Sequence, residues 1–295
     1  MNNGCVHREQ IEKPAWLIAW LSSQDRAPAV EEWRARLSRG EIFVDGEPAR
    51  ADQLLQSGQW LEWHQPPWEE PPAPLSFELL HEDDALVAVS KPSGLPTLPG
   101  GGFQQHTLYA LMRARFGTVS PAHRLGRATS GVVLFTRSSA AAAAVQLAWP
   151  AADKRYLALA SGRIEWGSKE LTTPIGPVPY APLGTVHAAS EAGKPARSMA
   201  TVLSRRRDST LLEVRIFTGR PHQIRIHLAA AGHPLMGDPL YGPGGVPRAE
   251  GTAVPGDDGY RLHAARLVIR HPSTGQPLEL LAPDPEWVHE LDAPS

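Results

Sequence analysis

The chain has 295 residues, of which 42% are hydrophobic and 20% charged, the make-up of a globular protein and not of a disordered one. That length suits one large domain, or one of about 200 residues with a smaller appendage. A net charge of −2 excludes a strongly basic nucleic-acid coat. The balance is uneven: residues 1–75 carry 7 Lys and Arg against 12 Asp and Glu, and residues 76–295 carry 22 against 19, so a polyanion prefers the second part.

In chain order, the first periodic stretch is Glu31 to Arg39, where Trp33 and Leu37 are four apart and Gly40 ends the helix. Residues 41–47 read as a hairpin turning on Asp45-Gly46. Leu54-Leu55 and residues 58–63 supply a further turn and strand. The run His64-Gln65-Pro66-Pro67-Trp68-Glu69-Glu70-Pro71-Pro72-Ala73-Pro74 forms neither helix interior nor central strand, because proline removes a backbone donor and fixes φ. It reads as an extended connector packed down by Trp68. The expected division is an appendage over 1–64, a connector over 65–75 and a main domain over 76–295.

In the main domain, residues 79–92 are two strand-like runs around the acidic turn Glu82-Asp83-Asp84, followed by a Gly/Pro loop over 94–102. Thr107 to Phe116 is helical, with Leu108, Leu111 and Met112 on one face. Residues 131–135 form a buried strand and Ala140 to Trp149 an alanine-rich helix, while 156–160 and 211–217 are further strands. Pro221 suits the first turn of a helix running to about Ala231 and capped by Gly232. Residues 242–259, rich in Gly and Pro, read as a mobile surface loop. Many short strands with few helices make the fold α+β, a mixed, largely antiparallel sheet with flanking helices, joined to a small N-terminal α/β appendage.

Four segments occur in a telling order. They are Glu82-Asp83-Asp84 with Lys91-Pro92-Ser93-Gly94-Leu95-Pro96; His123-Arg124-Leu125-Gly126-Arg127-Ala128-Thr129-Ser130-Gly131; Lys154-Arg155-Tyr156-Leu157-Ala158-Leu159; and residues 218–228 (TGRPHQIRIHL) running on to Gly237-Asp238-Pro239-Leu240-Tyr241-Gly242. Leu262-His263-Ala264 and His271-Pro272 follow. Together they resemble the RluA-type pseudouridine synthases. Residues 30–64 resemble the second half of an alpha-L RNA-binding module, with Arg34, Arg36 and Arg39 either at phosphates or on a solvated helix face.

The resemblance implies RNA as partner, either rRNA or tRNA, and an isomerisation of uridine needing neither cofactor nor metal. The glycosidic C–N bond breaks, the uracil turns, and a C–C bond forms to its C5 atom. The target base must first leave the stack, at a cost of a few kcal/mol. Stacking on an aromatic face returns roughly 1–3 kcal/mol, and Tyr156 is placed to give it, unless it is simply a half-buried strand tyrosine. By resemblance Arg225 fixes the acidic nucleophile, or else is a structural ion-pair partner. Arg220, His222 and Gln223, at a helix start that favours phosphate, contact RNA or merely cap and pack. His123, Arg124 and Arg127 of the nucleophile loop are expected to bind RNA, His123 and Arg124 also bracing the loop, with Arg124 the better phosphate contact because its fork is bidentate. Lys91 and the Gly100-Gly101-Gly102 loop are expected to line the groove, unless the glycines are simply a flexible loop with no partner.

Gly126 breaks the pattern, for it occupies the position of the family's catalytic aspartate and has no side chain with which to attack. Asp153 and Asp238 are the nearest carboxylates in the motif blocks, the first expected to be solvated and the second to hold its own turn.

Other classes fall away. Thr129-Ser130-Gly131 is not a Gly-x-Ser-x-Gly elbow, no Gly-Lys-Ser/Thr follows a glycine loop, and His222 and His227 are five apart, without a third zinc ligand nearby. A single cysteine, Cys5, excludes an internal disulfide and fits a reducing cytoplasm. Neither a signal peptide nor an apolar run long enough for a membrane is read. The reading is a cytoplasmic, monomeric RNA pseudouridine synthase. The alternative is a catalytically silent RNA-binding or RNA-folding protein derived from one.

Overall fold

A computed structural model describes residues 4–23, 30–65, 68–249 and 251–289. Pro66 and Pro67 of the connector lie outside them. The chain forms two compact units that divide between Glu70 and Pro71.

The first unit holds a four-stranded antiparallel sheet of Cys5–Gln10, Trp60–Gln65, Ile42–Val44 and Glu47–Pro48, in that order, with helices Leu17–Ser23 and Val30–Ser38. Its hairpin turns where sequence placed it, because Asp45 and Gly46 both take positive φ, 52° and 83°. Leu17, Leu21, Trp33, Ile42, Leu55 and Leu61 close its core. Two of the three arginines considered for phosphate are tied locally, Arg36 to Glu32 and Arg39 to Glu41 and Glu32. Arg34 is exposed.

The second unit is built on a ten-stranded sheet. Its main path runs Ser168–Leu171, Ser198–Arg205, Ser209–Ile216, Asp153–Ser161, Leu262–Arg270, Ser130–Thr136, Leu86–Lys91, Glu78–Glu82. Every pairing is antiparallel except that of Ser130–Thr136 with Leu262–Arg270, where Ser130 faces His263 and Gly131 faces Ala264. The expected α+β class with a mixed, largely antiparallel sheet is what forms. Helix Leu108–Phe116 begins where the Thr107 hydroxyl accepts the Ala110 amide, and Leu108 and Met112 bury its inner face. Helix Ser139–Ala148 is capped in the same way by Ser138. Among the described residues no helix is long and apolar enough to cross a membrane.

Strands outside the expected set fill the far edge. Ile175–Tyr180 pairs with Gly184–Ala189 as a separate two-stranded ribbon. The helix expected from Pro221 starts later, at Gln223, and ends at Ala230. His222 before it is left-handed, with φ of 53°, an unusual state for a side-chain-bearing residue that the surroundings must enforce.

Candidate functional site

The loop of residues 123–131 lies on a bed made by the segment after Lys91. Thr97 Oγ1 donates to the Leu125 carbonyl, Ser93 Oγ to that of Ala128, and the Gly94 amide to that of Arg127. Lys91 itself is fully buried, and its Nζ donates to the carbonyls of Pro92, Leu95 and Arg127 at 2.8, 2.6 and 3.0 Å. Burial lowers its pKa to about 7. A side chain so engaged braces the loop and does not line a groove, which corrects the expectation for Lys91.

Each residue of Thr129-Ser130-Gly131 has a local reason. Thr129 Oγ1 lies 3.2 Å from Tyr260 Oη, and Ser130 Oγ 2.8 Å from Nδ1 of the buried His263. Gly131 has φ of 106°, and a Cβ there would stand 2.2 Å from the Ala264 carbonyl oxygen. Only glycine permits that approach, which makes the parallel junction.

Gly126 differs in kind. It is exposed and does not adopt positive φ, so its backbone suits any residue. A Cβ there would nevertheless lie 2.6 Å from Tyr260 Oη. The buried phenol of Tyr260 stands where an aspartate side chain would begin.

Tyr260 also covers Arg225, whose guanidinium carbon is 4.1 Å from its ring centroid and 4.9 Å from that of Tyr241. Arg225 is only 2% exposed and grips Asp238 bidentately, Nε to Oδ2 at 2.7 Å and Nη2 to Oδ1 at 2.8 Å. Burial opposes its charge, but the Asp238 carboxylate keeps its pKa above the ordinary value. Asp238 meanwhile accepts the Leu240 and Tyr241 amides through Oδ1. The aspartate therefore both holds its turn, as expected, and supplies the carboxylate that Arg225 lacked in sequence. Removing one member of such a buried pair strands the other charge.

Tyr156 lies half-buried on strand Asp153–Ser161, packed against the core cluster that contains Ala128 and Tyr260. Opposite it the register slips: Arg155 faces Arg266 but Leu157 faces His263, so the partner strand bulges beside Tyr156. Burial raises its phenol to a pKa of about 12. Arg225 and the loop of residue 126 thus meet at Tyr260, a residue the sequence reading did not name, and Tyr156 packs against the core cluster to which Tyr260 belongs. Its contact to Thr129 spans 131 residues and follows no periodic pattern.

The remaining expected residues separate. Arg124 is exposed, and no acidic side chain pairs with it among the described residues. His222 Nδ1 is 2.7 Å from Tyr241 Oη. Burial first, then the charges of Arg225, His187 and Arg124, push its pKa down to about 3. Arg220 Nε donates to the Pro195 carbonyl. Gln223 is buried, its Oε1 accepting Thr218 Oγ1 and the Arg220 amide, its Nε2 donating to Arg197 O and Ser198 Oγ. It caps and packs, the blander of the two readings. His123 accepts the Leu134 amide through Nε2, lies 4.8 Å from the Trp149 ring, and is held near pKa 4 by burial. Its ring braces the strand through that bond. Asp153, expected to be solvated, is ringed by Arg155, Arg215 and Arg266.

The segment 242–259 is the largest departure. Instead of a mobile loop, its described part is pinned: Tyr180 Oη to the carbonyls of Gly251 and Ala253, Arg225 Nη1 to that of Pro255, Arg127 Nε to that of Gly256. Arg127 Nη1 also pairs with Asp258 at 2.8 Å. Glycine-rich composition does not disclose such anchoring.

One metal-type cluster occurs among the described residues, His81, Asp83 and His271. His271 Nδ1 accepts the Ser273 and Thr274 amides, so its Nε2 carries the proton it gives to Asp83. The other Asp83 oxygen accepts the amides of Ala85 and Leu86. The trio is a closed hydrogen-bond knot that fastens the acidic turn.

Comparison with known proteins matches residues 85–230 to the family described as RNA pseudouridylate synthase. The chain is 45% identical over 260 residues to an uncharacterized RNA pseudouridine synthase of Synechocystis sp., covering 86% of this chain and 89% of that one. It is 32% identical over 297 residues to ribosomal large subunit pseudouridine synthase D of Xanthomonas campestris, covering 93% and 86%. The fold is similar to that of human RNA pseudouridylate synthase domain containing 1, with a TM-score of 0.59, 24% identity, and coverage of 74% of this chain and 87% of that one. The strand order, the four motif segments and these likenesses agree: the chain belongs to the RluA-type RNA pseudouridine synthase family.

Proposed function

We propose that the second unit everts a uridine from structured RNA, rRNA or tRNA, and isomerises it to pseudouridine in the cleft bounded by Tyr156, the 123–131 loop and the helix start at His222. The observation that supports this reading is that Arg225 and the residue-126 loop both contact Tyr260, in the core cluster against which Tyr156 packs. Tyr156 offers its face to the everted base, returning roughly 1–3 kcal/mol of the unstacking cost. Arg225, locked bidentately to Asp238, keeps the floor of the cleft rigid, and Arg124 at the rim meets a phosphate. The relatives are named as synthases, so the silent RNA-binding alternative is not favoured. The single cysteine suits a reducing compartment such as the cytoplasm.

The test uses RNA from a strain lacking this gene, incubated with the protein and then mapped for pseudouridine. Pseudouridine at defined positions is the expected result, and RNA that is bound but unchanged contradicts the reading. Arg124→Ala is expected to weaken RNA binding and to lower the slope of log affinity against log salt by about 1, the loss of one phosphate contact. An unchanged slope removes Arg124 from the interface.

A further inference from the structure

Three carboxylates lie close to the residues of this site, and they differ in what they are free to do. Asp238 is sealed: its side chain is unexposed, and both oxygens are held by Arg225, with the Leu240 and Tyr241 amides on one of them. Asp153 is bound by three arginines. Asp258 is different. Its side chain is 46% exposed, and one oxygen stands 2.8 Å from Nη1 of Arg127, the residue next to Gly126.

That contact is a held one. The Arg127 guanidinium also donates through Nε to the Gly256 carbonyl at 2.7 Å, and its carbon lies 5.5 Å from the Phe103 ring centroid. Two facing glycines bring the segment in. A Cβ on Gly237 would stand 2.2 Å from the Gly259 carbonyl oxygen, and one on Gly259 2.7 Å from that of Gly237. The chain therefore passes directly against the turn that holds Asp238. Two residues after Asp258, Tyr260 fills the space at Gly126. The segment that closes the position of the missing aspartate thus also carries Asp258 to the guanidinium of Arg127, the residue next to it.

We propose that Asp258, carried into the site by the 254–260 segment and oriented by Arg127, is the carboxylate of the isomerisation in this chain. It replaces the aspartate that the family signature places at the position of Gly126. The proposal deepens the reading of the cleft as a synthase site and rests on it.

The step balances. A carboxylate oxygen of Asp258 bonds to C1′ of the everted nucleotide while the C1′–N1 bond breaks, its electron pair leaving on the uracil. The uracil turns until C5 faces C1′. C5 then forms the carbon–carbon bond, and the C1′–O bond breaks with its pair returning to the carboxylate. The C5 proton passes to water and N1 takes one up. Nothing is oxidised or reduced. Arg127 is a positioning residue, because it acts through Asp258.

The test is release of tritium to water from RNA carrying 5-tritiated uridine, prepared from a strain lacking the gene. It is run with the full chain and with Asp258→Asn and Asp257→Asn. Asp257 accepts the Val254 amide within the same segment but does not face Arg127, so it is the control. The wild type is expected to release tritium, and Asp257→Asn to do so within about twofold. Asp258→Asn is expected to be slower by about a thousandfold or more, the scale on which loss of a covalent catalyst acts. Its melting temperature and RNA affinity should stay unchanged, which a merely structural role would not leave intact. Wild-type release by Asp258→Asn, or silence of Asp257→Asn in its place, overturns the assignment while leaving the synthase reading standing. No release from the wild type overturns that reading and the proposal with it.

Discussion

Gly126 and Tyr260 behave as one unit, since the hydroxyl of one occupies the side-chain space of the other. An aspartate at position 126 therefore meets space that is already filled. Gly126→Asp is expected to lower stability by about 1–3 kcal/mol, the usual cost of overpacking a closed site, read as a lower urea midpoint. Gly126→Asp combined with Tyr260→Phe should recover most of that loss, because the ring carbon Cζ stands 3.9 Å from the Cβ position, an ordinary contact. Equal midpoints for the single and double variants contradict the pairing. At this scale the sequence motifs named Tyr156 and Arg225 and noticed the absence at 126. They did not name Tyr260 or Asp258, because neither sits in a motif segment and both act through contacts made far along the chain. Asp238 reads from sequence as a nearby carboxylate that holds its own turn, since a turn is local and its bidentate grip on Arg225 is not.

Among the elements, those with a local cause were legible. The hairpin at 42–48 follows from two adjacent residues that accept positive φ, and the helix at 108–116 from a threonine cap and one apolar face. Ile175–Tyr180 was not, because Pro177 and Pro179 argue against a central strand, and it survives as one side of a two-stranded ribbon. Ser168–Leu171 escaped notice because it is an edge strand with mostly exposed residues. The segment 251–259 looks like free loop by composition, yet arginines from two other elements hold it. Arg127→Ala is expected to release its outer part. Amide exchange at Val254 and Asp257, which bond within the segment, should accelerate about tenfold or more, with no change at Val132 and Val133 in the adjoining strand. Continued protection at Val254 and Asp257 contradicts the pinning by Arg127.

Across the whole second unit, stability depends on histidines that burial keeps neutral. His123, His222 and His263 have pKa values lowered to about 4, 3 and 4 from 6.5. Between those values and 6.5 the unfolded chain binds protons that the folded chain does not, so stability falls as pH drops through that window and is fully present above it. Each such group contributes about 1.4 kcal/mol per pH unit there. The urea midpoint is therefore expected to fall steeply from pH 7 to pH 5, and less steeply in His263→Gln. Parallel pH dependences contradict the burial of a neutral His263. The membership of the family rests on matches over most of the chain, and the proposed location of its chemistry rests on Tyr156. The most direct measurement is single-turnover pseudouridine formation by the wild type, Tyr156→Phe and Tyr156→Ala at saturating protein. Formation is expected to persist with phenylalanine, which keeps the stacking face, and to slow with alanine by about ten- to hundredfold, in line with the loss of one stacked base. A rate for Tyr156→Ala equal to the wild type, with the fold intact, contradicts the placement of the uridine in this cleft.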